Sequence, residues 1–288
     1  MYVQVIDFKN PRASEDFVDS LRSTGFAIIK NHPVSPLLIQ ETYRDWETFF
    51  AGEEKYDYTF DPQLQAGYFP FKSENAKGYA VKDLKEFYHY YTWHSLPHNV
   101  SQNTIRLYED LEAIACILLD WIEQNTPQDL RASFCMPLAE MVRHSRNSLL
   151  RVLHYPPLTG EEEEGAVRAH AHEDIDILTV LPAASAPGLQ VRDLLGKWHD
   201  VKCEPGEMVV NAGDMLQMLT KRYYISTTHR VVNPIGMEAR RSRYSIPLFL
   251  HSHSDVRLSE KHTHDSYLRE RLNEIGLLAT DQVERQLT

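Results

Sequence analysis

The chain has 288 residues, 42% of them hydrophobic, enough for one sizeable core or a core with a smaller appendage. Its 41 acidic against 30 basic residues give a net charge of −11, which argues against a nucleic-acid backbone as main partner. No apolar run reaches membrane-spanning length, no basic-then-apolar leader opens the chain, and Cys116, Cys135 and Cys203 form no zinc or redox pattern, so we expect a cytoplasmic protein with reduced thiols and no membrane partner.

Residues 3–8 read as a short strand. Ser14 is placed to cap a helix over residues 15–24, with Glu15 and Asp16 in its first turn, Phe17 and Leu21 on its apolar stripe and Gly25 as its stop. Residues 25–32 read as a strand, and Ser35 as the cap of a helix over 36–51 carrying Leu38, Tyr43, Trp46 and Phe50. Residues 52–80 show no sustained period and predict an irregular loop that covers a pocket. The aromatic stretch 85–93 predicts an extended segment, as core packing or as a pocket wall.

Leu107, Leu111, Ile114, Leu118 and Ile122 mark the longest helix, over residues 104–125, as scaffold behind a sheet. Short helices are predicted over 128–134 and 138–144. From Ser148 onward strands dominate, interrupted by a solvated acidic loop at 158–165. His251, His253, His262 and His264 lie in polar surroundings and read as surface histidines, ahead of a terminal helix over 266–278.

The chemistry concentrates in residues 170–181, His-Ala-His-Glu-Asp-Ile-Asp-Ile-Leu-Thr-Val-Leu. The apolar second half predicts a buried strand, on which His172 and Asp174 share one face. Two such ligands cannot close a site alone. Downstream, residues 226–232 form another strand-like stretch with a single histidine, His229. Two histidines and one carboxylate with the other positions open make the facial triad of non-haem Fe(II) oxygenases. His170 offers a competing His170/His172 pair, but the apolar strand aligns with His172/Asp174, which leaves His170 behind the ligands or on the surface. Arg243 and Ser245, two apart on a strand-like run, form a carboxylate clamp. The alternative register, Arg240 with Ser242, does not lead into the apolar continuation 246–249.

Residues 172–181 resemble the first metal strand of the isopenicillin N synthase-like family, which consists mostly of Fe(II)/2-oxoglutarate-dependent dioxygenases. Other landmarks follow in family order: 150–157 before the His-x-Asp pair, then 188–191, 205–207, 211–214, 226–232 and 243–249. The resemblance is dense from about Leu149 to His251 and thinner upstream. It implies a mainly β fold with flanking helices, a distorted double-stranded β-helix or jelly roll buttressed by N-terminal helices. The expected organisation is an N-terminal helical and irregular region over 1–147, a core over 148–265 and a C-terminal helix over 266–288, as one structural unit.

The resemblance implies Fe(II) on His172, Asp174 and His229, with 2-oxoglutarate and O2 as cosubstrates. Arg243 and Ser245 would hold the far carboxylate of 2-oxoglutarate, and Tyr155 would hydrogen-bond it. Leu153 stands where many plant relatives carry asparagine, so one cosubstrate hydrogen bond is missing or replaced. The implied reaction is hydroxylation of a small-molecule substrate with release of succinate and CO2. An oxidase that uses no 2-oxoglutarate, and a non-catalytic metal-binding jelly roll, are the alternatives. If Tyr155 faces the pocket, strand alternation puts Leu153 and Arg151 on the same face. Arg151 is then a candidate for an anionic group on the substrate, with His89 and Tyr91 from the aromatic run beside it. The oligomeric state is left open.

Overall fold

The computed structural model describes residues 1–75 and 78–274. In chain order the strands and helices are β1 (Val5–Asp7), α1 (Ala13–Thr24), β2 (Phe26–Lys30), α2 (Pro36–Ala51), β3 (Gly67–Phe69), β4 (Glu86–Tyr90), α3 (Asn103–Gln124), α4 (Gln128–Arg131) and α5 (Leu138–Val142). They continue with β5 (Leu149–Tyr155), β6 (Ala169–His172), β7 (Leu178–Pro182), β8 (Leu189–Arg192), β9 (Trp198–Asp200), β10 (Met208–Ala212) and α6 (Asp214–Leu219). The last are β11 (His229–Val231), β12 (Arg243–Ser245), β13 (Leu248–Leu250) and α7 (His264–Glu274).

Two sheets face each other. The larger runs β1-β2-β10-β7-β13-β5-β4-β3, with β12 also paired to β5, and the smaller runs β6-β11-β8-β9. All pairings are antiparallel except β1 with β2. This is the distorted jelly roll expected from the sequence. The N-terminal region does more than pack against it, because β1 to β4 extend the large sheet at both edges.

The large sheet is apolar on both faces, as a sheet covered on both sides must be. Alternation assigns the faces. Ala27, Ile29, Leu150, Val152, Leu178, Val180, Met208 and Val210 join the core beneath the helices. Phe26, Ile28 and Val209 pack instead with Val191 of the small sheet, and Phe87, Leu153 and Tyr155 pack with Ala169 and Val231. The apolar stripe of α3 lies in the helix-side core, and its start is tied to α2 by a Trp46 Nε1–H bond to Thr104 Oγ1 at 3.0 Å.

Local expectations held where one element decides them. The Ser35 hydroxyl accepts from the Leu38 N–H, so α2 starts where its cap says. Gly25 ends α1 at φ 73° and lies so close to Thr227 that a Cβ would sit 2.3 Å from its Oγ1. Ser14 does not cap α1: the helix begins at Ala13, and Asn10 Oδ1 accepts from Arg12 N at the preceding turn. The stretch 52–80 is not wholly irregular. It holds a 3₁₀ turn over Glu53–Tyr58 and the strand β3, which forms a hairpin with β4 and buries Tyr68 and Phe69. Three residues are too few to show a period. The predicted helix over 266–278 begins earlier, at His264, and residues 275–278 lie outside the described residues.

The predicted continuous strand over 175–181 is the main correction. β6 stops at His172, and β7, in the other sheet, starts at Leu178. Between them the chain turns, and the turn is latched to the start of α6. Gly213 N donates to Ile177 O at 3.1 Å, Asp214 N to Asp174 O at 2.8 Å and Met215 N to Asp176 O at 3.0 Å. Only glycine fits at the contact, since a Cβ on Gly213 would lie 2.2 Å from Asp176 O. Gly213→Ala is therefore expected to destabilise the fold by about 1–3 kcal/mol through overpacking. Gly52→Ala, whose Cβ would meet nothing closer than 3.6 Å, should stay within about 0.5 kcal/mol. Urea denaturation of both variants at equal slope checks the contrast.

Candidate metal centre and adjoining clamp

His172 closes β6 and His229 opens β11, and the two are direct cross-strand partners. Their rings lie 4.4 Å apart, centroid to centroid. Each imidazole is oriented by a backbone carbonyl two residues earlier: His172 Nδ1 lies 2.8 Å from His170 O, and His229 Nδ1 lies 3.1 Å from Thr227 O. Nδ1–H donation leaves the Nε2 lone pair of each ring directed away from the strand. Both Nε2 atoms converge on Asp174 Oδ1, at 3.7 Å from His172 and 3.6 Å from His229. Asp174 reaches this point from the latched turn, not from a shared strand face as the sequence reading supposed.

The other carboxylate oxygen of Asp174 is occupied. Thr179 Oγ1 donates to Oδ2 at 2.6 Å and Asn211 Nδ2 at 2.8 Å. Burial opposes ionisation of Asp174, but the neighbouring His229 and His172 and these two hydrogen bonds hold its carboxyl below the ordinary value. Burial, followed by the nearby His229, pushes the His172 imidazole down to about 4. The group thus presents an ionised carboxylate and a neutral His172 imidazole. Among the described residues, this is the one group of three or more histidine, cysteine, aspartate or glutamate side chains whose ligand atoms lie within 4.8 Å of one another. The donor set fits a divalent cation: each ligand has one free atom aimed inward and its other atom fixed outward.

The competing ligands point elsewhere. His170 is buried, neither a surface residue nor a ligand: its Nδ1 lies 2.6 Å from Asp83 Oδ1, and it supports His172 through its backbone carbonyl. Asp176 is fully buried against Thr179 and Gly213, and burial, then Asp174, pushes its carboxyl well above the ordinary value. His264 and His251 are not surface residues. His264 is buried with Nε2 at 3.3 Å from His251 Nδ1, and burial is the first cause that drives their pKa values down to about 4 and about 3. Their polar sequence context hid packing supplied by other elements.

A cavity adjoins the triad. Arg243, Ser245 and Tyr155 line it, while Ser242 faces the opposite way to His154 at 2.9 Å and Arg240 lies exposed in a 3₁₀ turn. The expected register is therefore the one present. Arg243 is 2% exposed, donates from Nε to Ala186 O at 2.9 Å and from Nη1 to Ser245 Oγ at 3.3 Å, and packs 5.1 Å from the centre of the Tyr155 ring. No carboxylate pairs with it among the described residues. A buried guanidinium without an anion fits a carboxylate ligand.

Arg151 lines the same cavity, as alternation on β5 requires. His89 and Tyr91 do not. His89 stands behind Arg151 as its cross-strand partner, and Tyr91 stacks on Trp93 at 4.8 Å. β4 ends at Tyr90, so alternation does not carry Tyr91 to the cavity. Lys85, Thr179 and Asn211 complete the site, and the sequence reading assigned them no role. For Thr179 on β7 and Asn211 on β10, a polar residue inside an apolar strand was the available signal, since buried polar groups need partners.

The chain is similar to known proteins over most of its length. Residues 146–252 match the 2OG-Fe(II) oxygenase superfamily profile, and residues 3–109 match the profile for the non-haem dioxygenase in morphine synthesis N-terminal region. The crystal structure of a candidate oxygenase from Shewanella oneidensis is 46% identical with TM-score 0.87, covering 96% of this chain and 100% of that one. A candidate 2OG-Fe(II) oxygenase family protein from Caulobacter crescentus is 29% identical with TM-score 0.79, covering 95% and 99%. A 2-oxoglutarate-Fe(II) type oxidoreductase of Aspergillus fumigatus is 36% identical over 151 residues, so the match spans 52% of this chain and only 40% of that curated relative.

Asn211→Ala and Thr179→Val each release one hydrogen bond from Asp174 Oδ2 without touching an inward-facing atom. Each is expected to weaken divalent-iron affinity by about tenfold or more, measured by anaerobic titration with a competing chelator.

Proposed function

The chain belongs to the 2OG-Fe(II) oxygenase superfamily, and from that premise we propose that it is a non-haem Fe(II)/2-oxoglutarate-dependent dioxygenase that hydroxylates a small molecule. The observation that carries the proposal is the pairing of an inward-facing two-histidine, one-carboxylate set with a buried, anion-less arginine across one cavity.

In this reading His172, Asp174 and His229 hold Fe(II), and Arg243 and Ser245 bind the far carboxylate of 2-oxoglutarate. When bound, iron and 2-oxoglutarate together supply O2 activation, with succinate and CO2 as products. The protein's part is positioning. Tyr155 packs beneath the Arg243 guanidinium and, among the described residues, has no protein partner for its hydroxyl, which leaves that hydroxyl for the cosubstrate. Leu153, buried beside Phe87 and Tyr155, presents an apolar wall where many plant relatives carry an amide. Leu181 and Leu189 add apolar lining, which holds bulk water off the reacting carbon.

Anaerobic Fe(II) titration with and without 2-oxoglutarate tests the reading, through the visible charge-transfer band of the chelate. Arg243→Lys keeps the charge but loses the planar fork, and is expected to weaken 2-oxoglutarate binding at least about tenfold while iron still binds. Unchanged affinity in that variant would favour an oxidase that uses no 2-oxoglutarate. Absence of the band and of succinate would leave a metal-binding jelly roll.

A further inference from the structure

The cavity has a second cationic group besides the Arg243 clamp. Resting on the oxygenase reading above, we infer that Arg151 and Lys85 form an anion subsite that takes the carboxylate of a small-molecule substrate.

Arg151 is a built arm. Its guanidinium lies between two rings, 4.8 Å from the centre of Phe87 and 5.6 Å from that of Phe249. Its Nε donates to His89 Nε2 at 2.8 Å, and His89 Nδ1 lies 2.8 Å from Gln65 O. Burial, and then the charge of Arg151, push His89 well below its ordinary pKa. A neutral histidine therefore orients the guanidinium without cancelling its charge. Nη1 reaches Glu74 Oε2 only at 3.5 Å, the limit of a hydrogen bond, and Nη2 has no protein partner among the described residues. Lys85 Nζ lies 2.8 Å from Glu74 Oε2 and 2.8 Å from Asp83 Oδ2, which leaves its third proton. Both side chains line the cavity that also contains His172 and Asp174.

The free hydrogen-bond donors decide between an anionic and a neutral ligand. With iron and 2-oxoglutarate bound as proposed, the dianion and Asp174 match the metal and Arg243. Glu74 and Asp83 match Lys85 and Arg151, and Glu74 is held well below its ordinary pKa because those two cations outweigh the effect of burial. At the subsite the four charges cancel, and what is left is two donors on cations: Arg151 Nη2 and the third proton of Lys85. A carboxylate has an acceptor oxygen for each and takes both in charge-assisted bonds, where a neutral amide offers one weaker acceptor.

The test uses the protein loaded with Fe(II) and saturating 2-oxoglutarate under anaerobic conditions. Calorimetric titration compares probes of matched shape, benzoate with benzamide and phenylacetate with phenylacetamide. At least one carboxylate is expected to bind ten times more tightly than its amide. Arg151→Gln should abolish that preference and Arg151→Lys should retain part of it, with the 2-oxoglutarate charge-transfer band intact in both. Amides that bind as well as acids, no binding by either acid, or a preference that survives Arg151→Gln would overturn the subsite. A missing charge-transfer band in the unmodified protein would instead strike the oxygenase reading, so the two failures are told apart.

Discussion

The site depends on a backbone latch. The carbonyls of Asp174, Asp176 and Ile177 accept from the first N–H groups at the corner between β10 and α6. A helix start leaves such donors without partners of its own, and a tight turn leaves carbonyls free, so each supplies what the other lacks. Asn211, two residues before the corner, adds the side-chain bond to Asp174 Oδ2. One short run, Asn211 to Met215, therefore fixes both the main chain and the carboxylate of Asp174. The latch holds Asp174 in the turn that carries the chain from the small sheet at His172 to the large sheet at Leu178.

Buried polar groups divide into those the protein satisfies and those it does not. On the helix side of the large sheet, Glu86 bonds to Tyr68, to Lys55 at 3.1 Å and to His154 at 2.7 Å, and His154 passes the chain on to Ser242. Every member has a partner, and the network ties β3, β4, β5 and the segment before β12 together. Between the sheets the balance differs. Arg243 has no carboxylate, the two histidine Nε2 atoms face one carboxylate oxygen, and Arg168 has a single carbonyl. Satisfied networks specify a fold, while buried groups left short of partners point to a ligand.

Much of this was legible in the residues because it repeats with a simple period. Alternation along Arg151, Leu153 and Tyr155 put three side chains into one cavity, and alternation along β12 selected Arg243 with Ser245. The α3 stripe and the Ser35 cap are local, and they stand where the pattern put them. The break at 173–177 was not legible. Ile175, Ile177 and Leu178 read as one apolar strand, and the interruption comes from contacts with a corner some forty residues later. The His251–His264 pair was hidden in the same way, since its two members stand 13 residues apart in the chain and meet only in the fold. The partnership of His89 with Arg151 required the β4–β5 register, which no single segment encodes.

The arrangement of the cavity follows from one strand. Successive residues of β5 rise by about 3.3 Å, so the Cα atoms of Arg151 and Tyr155 are separated by roughly 13 Å with Leu153 midway. Tyr155 packs with Arg243 at one end, and Arg151 packs between Phe87 and Phe249 at the other. A rigid strand therefore separates the two cationic ends by a distance that side-chain motion changes little. In the proposed reading this separation keeps two carboxylate ligands from exchanging places. Among the described residues the end with the arginine-serine pair lacks an acid, which in that reading leaves it for the far carboxylate of 2-oxoglutarate. The Arg151 end shares its charge with Glu74 and Asp83, so in the proposed reading it holds a substrate carboxylate less tightly.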